Sequence, residues 1–210
     1  EVFMKKLFIA FFVSMVCLAS ASAMSLGLRG DIDFGICDAS SKTVQANGVK
    51  GATGGEVGLW FDMPFINLKV FTLGIRPDAE IAFNQGIKAS DGSVTTTNFD
   101  VDLFLSASFN LAIIRISAGV GPNVSWAFKP VKKGTSVCGI PVNYIDPQTN
   151  WKNPSWGIGG FVQAGVKLGP GFLLGDVRFR APFSAKEFAN NPSGDLSSKI
   201  YKINVGLRCR

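Results

Sequence analysis

Between Phe71 and Phe83 the chain reads FTLGIRPDAEIAF, a stretch with a period of two. Phe71, Leu73, Ile75, Pro77, Ala79, Ile81 and Phe83 are apolar, and Thr72, Gly74, Arg76, Asp78 and Glu80 fall between them. Successive side chains of a strand point to opposite faces, so this is a strand with one oily and one ionic face. A helix would space its apolar positions at three and four instead.

The same alternation recurs upstream at 26–34 and 56–63, and downstream at 99–106, 114–126, 156–167, 173–180 and 201–208. Eight strands are therefore predicted. Their cores hold Arg29, Asp31, Asp33, Glu56, Asp62, Arg76, Asp78, Glu80, Asp100, Asp102, Arg115, Lys167, Asp176, Arg178, Arg180, Lys202 and Arg208, and every one of these charges lies on the polar face. Trp60, Phe104, Phe161 and Leu174 are misfits there. Acids gather on strands two to four and bases on strands seven and eight. In a closed eight-stranded sheet those strands face each other, and buried charges must be paired. A cross-lumen ion network filling the barrel is the expectation, with Asp78 and Glu80 at the height of Arg178 and Arg180.

The connections alternate in length. Pro64 to Leu68, Asn110 to Ala112 and Gly169 to Gly171 are short, whereas 36–53, 85–97, 129–154 and 183–197 are long and polar. Short turns at one end and long loops at the other describe an all-β, eight-stranded antiparallel up-and-down transmembrane β-barrel. Strands of ~10 to 11 residues tilted by ~45° would span about 25 Å, the height of an outer-membrane apolar band. Alternation alone leaves open a soluble periplasmic barrel with its oily face inward, as in lipocalins. Three features favour the lipid-facing arrangement: glycine loads the polar face, aromatics collect near strand ends on the apolar face, and the loop lengths are asymmetric.

Met4, Lys5 and Lys6, the apolar run Leu7 to Leu18, and Ala21-Ser22-Ala23 read as a cleavable signal peptide over 1–23, with residues 1–3 as an upstream extension. The barrel domain is then 24–210, exported to the outer membrane. The whole 210-residue chain carries 21 basic and 15 acidic residues, net +6. Removing Lys5, Lys6 and Glu1 leaves +5.

Histidine is absent, which removes Ser-His-Asp and Cys-His nucleophile systems and His-ligated metals. The same-face pairs Asp31/Asp33 and Asp78/Glu80 sit near glycosidase spacing, but the excess of bases opposite them favours a structural ion network. Ser136 with Lys133 lies in a loop with nothing to hold it as a dyad. The glycine clusters at 51–58 and 157–160 lack the helix of a phosphate loop. No enzyme, cofactor or metal is expected, and no aromatic-basic module points to nucleic acid. Cys37 and Cys138 fall on the same side of the membrane and are a candidate disulfide, with Cys209 at the opposite end.

This organisation, with runs such as Leu73-Gly-Ile-Arg-Pro-Asp78 and Ser117-Ala-Gly-Val-Gly-Pro122, resembles the small eight-stranded outer-membrane barrels of the OmpA/OmpX/OmpW-like superfamily. The resemblance covers residues 25–210. It implies a monomer in contact with outer-membrane lipid and the barrel-assembly machinery, with long loops that could meet an extracellular ligand. Three readings of function follow: a plugged barrel with a structural or surface-interaction role, a narrow pore or small hydrophobic-solute transporter, or the soluble periplasmic binder.

Overall fold

The computed structural model describes residues 24–40, 48–68, 70–145, 154–191 and 194–209; the signal peptide expected over 1–23 lies outside them. Eight long strands run in chain order: β1 Ser25–Ser40, β2 Thr53–Asn67, β3 Phe71–Lys88, β4 Gly92–Leu111, β5 Ile114–Gly134, β6 Ser155–Leu168, β7 Gly171–Pro182 and β8 Gly194–Cys209. Each pairs antiparallel with the next, and β8 returns to pair with β1, from Leu28 opposite Cys209 to Ser40 opposite Ser197. Closure leaves the barrel wall without a free edge, so its backbone polar groups are satisfied even in contact with hydrocarbon. The eight alternating stretches are the eight barrel strands.

The wall faces as a membrane barrel must. Val162 is 60% exposed and Leu103 47%, while Asp78 and Arg178 have no exposed surface. Among the described residues, thirty-four large apolar side chains stand exposed, far more than the scattered patches of a water-soluble monomer. This orientation overturns the inward-oily, lipocalin-like alternative. Aromatic pairs lie across neighbouring strands towards both rims: Phe71–Phe109 near the short turns, Phe99–Trp126 and Phe179–Tyr201 near the loops, with ring centroids 5.2, 5.9 and 6.3 Å apart. Phe61 is an exception, buried although its parity points outward.

The loop end needs correction. The strands run from 12 to 21 residues rather than 10 to 11, and the stretch 85–97 is no loop. It continues the β3–β4 hairpin to a tight turn between Lys88 and Gly92. A bulge hid it: register shifts between Ala82 and Gln85, where Asn84 takes φ +59 and its side-chain amide donates to the Thr53 carbonyl. One extra residue reverses the in–out parity, so the alternation that marks β3 breaks just where the strand leaves the membrane. Lys50–Gly51 extends the same sheet against Ile87 and Lys88, and Lys186–Asn191 against the start of β8. In the segment expected as a loop over 129–154, β5 runs on to Gly134. It is followed by a small hairpin of Ser136–Val137 against Ile140–Pro141 and a 3₁₀ turn, Val142–Tyr144.

Candidate functional site: the lumen ion network and the apolar cap

Period two puts every second residue of each strand into the barrel interior, and eight strands enclose room for side chains or one small ligand. From the short-turn end upward, the interior is zoned. Asp62 is the lowest anion, accepting from Arg76 Nε and Arg115 Nη2, both at 2.7 Å. Arg115 also donates to Ser117 and Ser108, and Arg76 to Gln163.

Above Asp62 lie the four misfits. Trp60, Phe104, Phe161 and Leu174 are all buried inside the barrel. Phe104 and Phe161 meet edge to face at 5.0 Å. The Arg76 guanidinium lies 4.6 Å from the Trp60 ring centre and 4.5 Å from that of Phe161, and Arg178 covers Phe104 at 4.9 Å. Guanidinium ions stack on aromatic faces because the ring quadrupole is negative there, an attraction that strengthens where water is excluded. These aromatics therefore belong among the charges. Two glycines of the polar face make room for them: a Cβ on Gly27 would collide with the Trp60 indole, and one on Gly119 with the Phe161 ring.

The main ion cluster follows. Arg178 contacts Asp78, Glu80 at 3.2 Å and Asp102 at 2.6 Å. Arg208 reaches Asp78 at 3.1 Å and Asp176 at 2.9 Å. Arg180 touches Glu56 at 2.7 Å, Asp102 at 2.5 Å and Glu80. Lys202 bonds Asp100 at 2.7 Å, and Arg29 joins Asp31, Glu80 and, at 3.3 Å, Glu56. Carboxylate oxygens of Glu56, Glu80 and Asp100 lie within 4.8 Å of one another, and Arg180 and Lys202 supply the positive charge among them. Asp33, higher still, accepts from two amides, Gln85 at 2.7 Å and Asn204.

Sixteen of the seventeen charged positions are buried in this interior. Lys167 is the correction: it is exposed at the short-turn mouth, beside Pro170 and Phe172 in an open polar basin. It sits two residues before the turn of Gly169, where the wall ends and a long side chain reaches water.

An apolar cluster that the sequence pattern did not reveal forms a cap at the loop end. Val49, Ile87, Val94, Ala127, Val137, Ile140, Val142, Ile145 and Leu196 form one buried cluster, drawn from extensions of the barrel strands and from the small hairpin. Each large side chain removed from water there contributes about 1.5–3 kcal/mol. Asp91, in the β3–β4 turn, holds the hairpin. It accepts from Ser136 Oγ at 2.5 Å and from the Cys138 and Gly139 amides at 3.2 Å each. The Ser136 hydroxyl is thus given to a carboxylate, not to Lys133 as a base.

Those hydrogen bonds, Ser136 foremost and against a smaller effect of burial, hold the Asp91 carboxyl below its usual pKa of 3.8. A depressed carboxyl adds stability that is complete above the unfolded-state pKa and is lost as pH falls through the lower folded-state value. The hairpin anchor is accordingly expected to be intact at neutral pH and to fail only below pH 3.8. Asp91→Ala is expected to release it at any pH. Limited proteolysis in detergent should then cut residues 135–145 several-fold faster, with the heat-modifiable gel shift of the barrel unchanged; an unchanged cleavage rate would show that Asp91 holds nothing.

No known family pattern and no curated protein matches the sequence. Among solved structures, the chain is similar to the outer membrane protein OprG from Pseudomonas aeruginosa, with a TM-score of 0.54 and 13% identity over 88% of this chain and 94% of that one. Neisserial surface protein A aligns with a TM-score of 0.41 and 10% identity over 89% and 98%, and the attachment invasion locus protein Ail of Yersinia pestis with 0.35 and 9% over 87% and 97%. The fold is that of the small eight-stranded outer-membrane β-barrels.

Proposed function

We propose that this chain, a barrel of the outer-membrane type, works as a closed, non-conducting and non-enzymatic scaffold whose active surface is its outer, loop-bearing end. The observation that carries the reading is the set of ion pairs that cross the interior. Arg178, Arg180 and Lys202 of β7 and β8 reach across to Asp78, Glu80, Asp100 and Asp102 of β3 and β4. An aromatic zone lies below them and the apolar cap above. A permeating ion would have to separate several desolvated pairs at once. Of the paired carboxylates that resemble acid–base residues, Asp31, Asp78 and Glu80 each hold an arginine and Asp33 takes two amides, which supports structural use over catalysis. Outside the wall, Lys50, Lys88 and Lys133 are exposed on the outer end and Lys132 is half-buried beside them, a mildly cationic surface for an extracellular partner.

The test is conductance. Inserted in a planar bilayer, the full barrel is expected to stay silent at physiological salt, and steady openings would sink the plugged reading. One observation favours a second reading, lateral passage of small hydrophobic solutes. The β4–β5 ladder has no paired residues between Asp102–Asn123 and Leu105–Val120, next to Pro122, which has no N–H to give. An apolar recess of about 710 Å³ along Leu105, Ala118, Val120 and Val162 reaches Phe161 and Arg178 nearby. Faster entry of a hydrophobic dye into liposomes holding the barrel than into empty ones would support that route; equal rates would remove it.

A further inference from the structure

We propose that Cys37 and Cys138 form a redox-closable pair whose disulfide pins the small outer hairpin to β1 and locks the apolar cap over the barrel. This goes beyond the plugged-lumen reading, and its test reads thiols, so the two can fail separately.

Both thiols belong to one place in the fold. Cys37 lies on the inward parity of β1, beyond Asp33 and Gly35, opposite Ile200 of β8. Cys138 is the first residue of the two-residue turn joining Val137 to Ile140. Both side chains are half-buried and pack against the same apolar cluster, Cys37 from the barrel wall and Cys138 from the hairpin. Cys209 is exposed at the other end of the barrel, out of reach of either.

The turn itself marks Cys138 as unusual. Cys138 has φ +52 and Gly139 φ +79. A two-residue hairpin with both residues at positive φ calls for Asn, Asp or Gly. Cysteine is disfavoured there, and a non-glycine residue held in that region points to a use for its side chain. The Asp91 carboxylate fixes the orientation by accepting the Cys138 amide. On the other side, the Cys37 sulfur shares a 2.8 Å hydrogen bond with Ser198 Oγ.

Burial and then Asp91 raise the Cys138 thiol above its ordinary pKa. A thiol of high pKa is a poor leaving group, so a bond made through Cys138 resists exchange that would expel that sulfur. The reaction requires an oxidant, here an exported protein or small molecule carrying a disulfide. The Cys138 thiolate attacks that disulfide, giving a mixed disulfide and releasing one thiol. The Cys37 thiolate then attacks the Cys138 sulfur, forming the new S–S bond and expelling the second thiol. Two electrons and two protons pass from the pair to the oxidant.

The test incubates the folded full chain with oxidised glutathione, then maps it by mass spectrometry without reduction. A Cys37–Cys138 linked peptide lacking two hydrogens is expected, with Cys209 left to react with maleimide. The Cys209→Ser variant is expected to behave alike, and the linked form should protect residues 135–145 from protease several-fold. Cys37 and Cys138 both still reactive after oxidation, stable glutathione adducts on both of them, or a bond made through Cys209 would each overturn the proposal. The heat-modifiable gel shift of the starting protein shows that it is folded before oxidant is added.

Discussion

Replacing Arg178 by alanine is expected to cost the barrel about 3–5 kcal/mol, enough to prevent assembly in many backgrounds. Arg178 is completely buried, contacts Asp78, Glu80 and Asp102, and lies over the Phe104 ring. Its loss leaves three carboxylates without that counter-ion in an interior where nine buried acids already face seven buried bases. The cost comes chiefly from stranded charge, not from the lost contacts themselves. Two companions separate these contributions. Arg178→Lys keeps a charge but loses the forked geometry and is expected to recover part of the loss. Arg178→Met combined with Asp102→Leu removes a cation and an anion together and is expected to fall well short of the single change. Urea midpoints followed by tryptophan fluorescence measure all three. The same variants address function, since a barrel that folds without Arg178 should begin to conduct. A loss below about 1 kcal/mol, the range of solvated surface pairs, together with a silent bilayer, would mean that Arg178 sits in water and does not close the lumen.

Val162→Arg is expected to cost about 2–4 kcal/mol, the penalty for a cation on the lipid face near the bilayer midplane. Val162 stands exposed on β6, opposite Ala118 of β5 and Val177 of β7. In a water-soluble barrel with this exposure the same change would be nearly neutral, because a surface arginine is solvated. The comparison with Lys167→Ala sharpens the test: that residue is already at the mouth, and its removal should change stability by no more than about 0.5 kcal/mol. Folding titrations into liposomes give both values. Equal and small effects would mean that the oily wall does not face hydrocarbon.

Much of this molecule is legible in the order of its residues. A single period, read from Phe71 to Phe83 and repeated seven times, carries the strand count, because side chains must alternate across a pleated wall. That period also separates the sixteen interior charges from the lipid-facing residues. Where it fails, two different physical causes are at work. At Asn84 a bulge adds one residue, so the code is present but shifted, and the strand extension beyond it reads as loop. At Trp60, Phe104 and Phe161 the code is intact, yet hydrophobicity misleads, since an aromatic ring among guanidinium groups is a polar partner as well as an apolar one.

Sequence by itself determined the architecture and the sorting of residues between inside and outside, since both follow from local alternation and from the cost of ions in hydrocarbon. Only the tertiary structure decided which acid meets which base, that Asp33 takes amides where its neighbours take arginines, and that Val49, Ile87, Val137, Ile145 and Leu196 converge into a cap. Those facts depend on the register and shear of the closed sheet and on how the outer hairpin folds back over it. They bring together residues far apart along the chain, Asp33 and Asn204 among them, and no local pattern encodes such a meeting.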